Sequence, residues 1–291
     1  MGGTTVLDVT GDICLIGGDC DGDGNTDNDF NTLEIVNATN AEILDANDLN
    51  ITSVTVTNQL WLAAGNADAT PGDGTGGRLT LDGNVTAGTQ ALLQASEGVE
   101  QLSGVITSGQ LLLGGDQQFE GNGDFILLSN NNVQRIASNI SGELQFANSG
   151  TLTVSELSFE SICSSIVENI DGVTTSDNDA VLIVGGTLMI DAPVNTGAGS
   201  VFFDVAGDVT QTETGIVAAA GLGLDVSGNV ELAAGNLIDV LAGDVDGTLL
   251  LNNSIELVVG SVEVAIGSDV CLLYTSPSPR DLSTSRMPSS A

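Results

Sequence analysis

Polar and apolar residues alternate along short stretches of this chain, and the stretches break at glycine. Ile51-Thr52-Ser53-Val54-Thr55-Val56-Thr57, Leu152-Thr153-Val154 and Val262-Glu263-Val264 follow a period close to two, which puts successive side chains on opposite faces of a strand. Apolar runs are short. Residues 216–224 form one of the longest uncharged ones, far below the ~18 residues of a membrane-spanning helix. Helical periodicity is almost absent, and only residues 157–170 (LSFESICSSIVENI) leave room for a short helix or a capping insertion.

Between the strands the chain repeats itself. The unit Asp-Val-small-Gly-(Asp/Asn)-(Val/Ile) occurs at Asp8-Val9-Thr10-Gly11-Asp12-Ile13, Asp204-Val205-Ala206-Gly207-Asp208-Val209 and Asp225-Val226-Ser227-Gly228-Asn229-Val230, with a shorter form at Asp82-Gly83-Asn84-Val85. A Gly-x-Leu unit recurs at Leu79, Leu111, Leu144, Leu152, Leu188 and Leu249. A period near 20 with drifting phase is the mark of stacked coils joined by loops of variable length. An antiparallel sandwich would want large aromatic core residues, whereas this chain has one Trp and seven Phe. Val, Ile, Leu and Ala must fill its core. The pattern therefore predicts an all-β fold, a right-handed parallel β-helix (β-solenoid) of roughly 20-residue coils, with Gly and Asn at corners that need positive φ.

Charge narrows the function. The 291 residues hold 39 acids, four Arg, no Lys and no His, for a formal net charge of −35. Nucleic-acid binding needs clustered cations, which this chain lacks, and an anionic membrane surface would repel it. A His base, a Lys Schiff base and a Ser-His-Asp triad are all excluded. Disorder is opposed by 41% hydrophobic residues and a mean hydropathy of +0.25. The expectation is a folded, non-enzymatic protein, apolar inside and acidic outside.

The last 21 residues break from this composition. Residues 271–291 (CLLYTSPSPRDLSTSRMPSSA) carry two of the four Arg, three of the five Pro and the only Tyr. The string resembles a translated sequencing-library adapter, which implies a non-native, disordered tail. Without it, 38 acids and two bases, Arg78 and Arg135, remain in residues 1–270. An adapter there also implies a frame cut short, so that residues 1–270 are a fragment of a longer protein. No basic and apolar leader follows Met1, so an internal start is open as well.

Strings such as VTAGTQALLQASEGVEQLSGVITSGQLLLGG and VAGDVTQTETGIVAAAGLGLDVSGNVELAAG resemble the repeat region of filamentous haemagglutinin-like bacterial exoproteins and autotransporter passengers. The resemblance covers most of residues 1–270 and is one of pattern. It implies secretion or a bacterial cell-surface location, an outer-membrane export partner, and adhesion to a surface glycan or protein as a structural shaft. The alternative is a carbohydrate-binding or carbohydrate-active β-helix whose decisive domain lies outside this stretch.

One local motif suggests a metal. In the acidic insertion at residues 17–30, Asp19, Asp21, Asp23 and Asp27, with Asn25 between them and Gly24 at the sixth position, match a Ca²⁺ loop of the EF-hand or thrombospondin type. The twelfth position, where a bidentate acid belongs, is Phe30. Asn25-Thr26-Asp27 also resembles a catalytic tripeptide of polygalacturonases, whose His- and Lys-bearing motifs have no counterpart here. Cys14 and Cys20 stand close enough for a small disulfide, which would leave Cys163 unpaired; buried free thiols are the other reading. Trp61, bracketed by Leu60 and Leu62, reads as core rather than as a glycan-stacking platform.

Overall fold

The computed structural model describes residues 3–16, 28–65, 77–115, 123–266 and 270–275. These contain 26 strands and no helix; among them, accordingly, no helix is long and apolar enough to cross a membrane. Twenty-two strands join one sheet whose pairings are parallel. Two antiparallel hairpins lie outside it: Glu156–Glu160 with Val167–Asp171, and Ser261–Ile266 with Val270–Thr275.

The pairing follows the sequence period. Ala180 pairs with Val201, Val201 with Leu222, and Leu222 with Leu241, so the chain comes back beside itself after each circuit. The ladders also close on one another. Leu49–Val56 pairs with both Leu79–Asp82 and Val85–Ala95. By way of Val99–Ser103 and Ile106–Gly114, both routes meet again on Phe125–Asn139. The result is a closed, barrel-like parallel sheet around one continuous apolar interior.

Val, Leu, Ile and Ala dominate that interior, joined by Phe125, Phe146 and Phe203. The Gly-x-Leu unit supplies the first inward residue after a corner: Leu79, Leu111, Leu144, Leu152 and Leu188 are all fully buried. Leu249, in a strand that pairs on one side, is 42% exposed.

The corners explain the other repeat. At three of its four occurrences the second acid or amide accepts a backbone N–H from the following circuit: Asn229 N–H donates to Asp208 Oδ1 at 2.7 Å, Thr248 N–H to Asn229 Oδ1 at 3.0 Å, and Val105 N–H to Asn84 Oδ1 at 3.0 Å; Asp12 accepts the Asn40 amide at 2.7 Å instead. Otherwise those corner N–H groups would be left without a partner. Corner glycines such as Gly98 and Gly104 have the expected positive φ, but Gly83 answers a different demand. A Cβ at Gly83 would stand 1.7 Å from the Thr52 carbonyl oxygen, with no positive φ at that residue. Close approach of the neighbouring backbone selects glycine there. Asn likewise serves through its amide. Asn131, fully buried within a strand, accepts Ile106 N–H at 2.8 Å and donates to the Leu127 carbonyl at 3.1 Å. Asn236 repeats the arrangement with Val217 and Leu232. Among the described residues, the positive-φ residues other than glycine are Ser176 and Asp177.

Residues 157–170 do not form a helix. Leu157, Phe159 and Ile170 alternate with exposed neighbours, and that period of two folds the segment back as a hairpin. The insertion half of the expectation stands. The boundary drawn at residue 270 falls inside the second hairpin, which takes in residues 270–275.

Candidate functional site

The expected Ca²⁺ ligands Asp19, Asp21, Asp23, Asn25 and Asp27 lie outside the described residues. Their frame does not. The acidic insertion returns to the sheet at Asn28, whose amide donates to the carbonyls of Leu15 and Leu44, each at 2.9 Å. Phe30 N–H then donates to Asp45 Oδ2 at 2.6 Å and Asn47 N–H to Asp45 Oδ1 at 3.1 Å. Burial raises the Asp45 carboxyl to about 6, against the pull of those two hydrogen bonds; Asp29 and Asp48 raise it further. Both Asp45 oxygens are thus engaged, and Asp29 Oδ1 accepts the Asn47 amide at 3.1 Å. Among the described residues no three His, Cys, Asp or Glu side chains converge as a metal site.

The most elaborate constellation lies elsewhere, on the outside of the sheet. Leu60, Leu62 and Ala64 point into the main core. Trp61 and Ala63, on the opposite face by the period of two, belong to a second apolar cluster. Trp61 is therefore core as expected, but of a core outside the coil. Parallel register aligns one row of outward residues across successive strands: Cys14, Glu42, Trp61, Leu92, Leu112 and Ala137. The hairpin of Glu156–Glu160 and Val167–Asp171 lies over this row. Leu157, Phe159 and Ile170 pack on Trp61, Leu92, Leu112 and Ala137, and the Phe159 ring meets Trp61 edge-on with centroids 6.0 Å apart. The indole N–H donates to Gln94 Oε1 at 2.7 Å.

Beyond the apolar strip the row becomes polar and then covalent. Glu42 is fully buried, and its carboxylate gathers donors from the hairpin loop: Ser161 Oγ at 2.6 Å, Ile162 N–H at 2.7 Å and Cys163 N–H at 3.3 Å. Gln59 Nε2 donates to Glu42 Oε1 at 3.1 Å and to the Glu160 carbonyl at 2.9 Å. At the end of the row Cys14 is disulfide-bonded to Cys163, 149 residues away. This replaces both alternatives read from the sequence, a Cys14–Cys20 bridge that leaves Cys163 unpaired and buried free thiols. Proximity in sequence was a poor guide because the hairpin brings Cys163 back across the stack. Glu42 carried no signal at all, since one acid among 39 is not distinctive.

The two cations outside the tail are engaged separately. Arg78 pairs with Glu100 at 3.1 Å, both well exposed, and Arg135 Nε donates to Ser155 Oγ at 3.1 Å. Farther along the stack, Asp208, Thr210, Asn229, Glu231, Thr248 and Leu250 line an open concavity of about 400 Å³. No protein-family model, curated protein or solved structure matches the chain.

Proposed function

We propose that residues 1–270 are a right-handed parallel β-helix of roughly 20-residue coils, serving as the non-catalytic shaft of an exported, adhesin-like bacterial surface protein. The observation that carries this reading is the register itself. Each circuit repeats the outward positions of the last, as Ala180, Val201, Leu222 and Leu241 do for the core, and such stacking builds length and lateral surface. The Cys14–Cys163 bridge favours an oxidising, extracytoplasmic location. Arg78 and Arg135, the only cations a carbohydrate-active site in residues 1–270 could recruit, are held on different partners. The reading implies an outer-membrane export partner and a surface glycan or protein as the adhesion target.

A long sequencing read across the locus tests it. The expected frame has an export signal, further ~20-residue repeats and no counterpart of residues 271–291. A frame that closes instead on a compact domain rich in His, Lys or Arg would make this solenoid an appendage and overturn the shaft reading. The concavity beside Asp208 and Glu231 favours one alternative, a carbohydrate-binding module. In that case purified protein binds an immobilised glycan and the Glu231→Gln variant loses the binding.

A further inference from the structure

A stack of coils is held together by nearest neighbours, so a coil paired on one side opens more easily than one paired on both. Among the described residues, Ile13–Leu15 pairs only with Ala41–Asp45, and Thr4–Asp8 only with Thr32–Ala38. Yet Cys14 on that coil is covalently bound to a hairpin that leaves the sheet after Leu152–Val154 and rejoins it at Val173–Thr174. Between these points the hairpin crosses every strand in the row from Ala137 to Cys14, and it is held at three kinds of contact. Apolar side chains grip the middle strands, the Glu42 carboxylate binds the loop, and the disulfide fixes the end.

We propose that this hairpin is a covalent strap that makes the coils from Thr4 to Asn139 open as one unit, and that reduction of Cys14–Cys163 releases the coils of Ile13–Leu15 and Ala41–Asp45 to open independently. The release is a two-electron step. A dithiol reductant attacks the bridge, the S–S bond breaks, Cys14 and Cys163 each take up a proton as thiols, and the reductant closes to its own disulfide. The Glu42 contacts do not reach the first coil, and the apolar strip touches it only at half-buried Ile16, so the bridge is the strap's one covalent tie to Cys14's strand.

Hydrogen exchange on the purified full chain, with the 14–163 pairing first confirmed by peptide mapping, tests the proposal. In the oxidised protein, amides of Ile13–Leu15 and Ala41–Asp45 are expected to exchange as slowly as those of Gln59–Ala64. After reduction, exchange in the first two coils rises by about tenfold or more, while Ala180–Val184 and Val201–Val205 keep their protection. Cys163→Ser in oxidising buffer reproduces the reduced pattern; should that variant fold poorly, the reduced native protein gives the same readout without mutation. Unchanged protection in the first coils after complete reduction overturns the proposal. So does a loss spread evenly along the whole stack, which would mark the bridge as a general stabiliser rather than a coupling of the first described coils.

Discussion

At the scale of single residues, the buried acids set how this protein responds to pH. Asp45 is fully buried, and desolvation holds its carboxyl at about 6 against an ordinary 3.8. The folded state therefore binds the proton more tightly than the unfolded chain does. The stabilisation is complete below the unfolded value and is lost as pH rises through about 6, a swing of up to about 3 kcal/mol. Burial also raises Glu143, with Asp124 and Asp179 adding to it, and raises Asp204, with Asp225 adding to it. Melting temperature is expected to climb as pH falls from 7.5 to 5, and Asp45→Asn to flatten that slope; a melting temperature that falls over this range would contradict it. Glu42 acts by geometry. Glu42→Ala strands the hydroxyl of Ser161 and the N–H of Ile162, while Cys163 N–H keeps Ser161 Oγ as acceptor. The expected loss is about 3 kcal/mol in urea titration, with Glu42→Gln milder because it keeps one acceptor.

Elements show which parts of the fold could be read from the residues and which could not. The corners were legible as a repeat, because Asn84, Asp208 and Asn229 each answer a backbone N–H one circuit later, and that demand recurs along the sheet. Asn131→Ala and Asn236→Ala are each expected to cost about 1–3 kcal/mol by orphaning the N–H of Ile106 or Val217. An equal truncation at exposed Asn132 is expected to cost nothing measurable, and similar losses at all three would refute the corner role. Alternation gave the inward face correctly. It missed the outer core, although the signal was present: Leu60-Trp61-Leu62, Ala91-Leu92-Leu93 and Leu111-Leu112-Leu113 are unbroken apolar runs. Strands that read this way are buried on both faces, so something had to cover them. What covers them, residues 157–170, alternates too weakly and over too short a span to be told from a helical turn. The Cys14–Cys163 bridge was illegible for the same reason, since it depends on where the hairpin lands. The reading of glycine corners by positive φ failed at Gly83 because steric approach between circuits is a tertiary effect.

For the whole molecule, charge is the dominant liability. Acids stack in register on the outside, as Asp204, Asp225 and Asp244 do, and a net charge of −35 strains any compact form of the chain. Counterions relieve that repulsion. The melting temperature is expected to rise with NaCl from 10 to 500 mM, and to rise further with millimolar Ca²⁺ at constant ionic strength if residues 19–27 bind it specifically. Equal responses to Ca²⁺ and Mg²⁺ would reduce the calcium effect to screening.

The row beneath the hairpin also makes the molecule unequal in how it tolerates growth. From Cys14 to Ala137 the outward positions step through six strands, a distance of about 24 Å at ordinary strand spacing. The hairpin is matched to that distance, since its end is bonded to Cys14. Duplicating one circuit inside this interval would carry Cys14 a full strand spacing beyond Cys163's reach. A circuit copied between Val205 and Val226 meets no covalent tie of this kind, only the packing of the Ser261–Ile266 strand, and its corner acid finds the same N–H waiting. Insertion of a whole circuit is thus barred by a bond in the strapped interval alone, which has a set number of circuits.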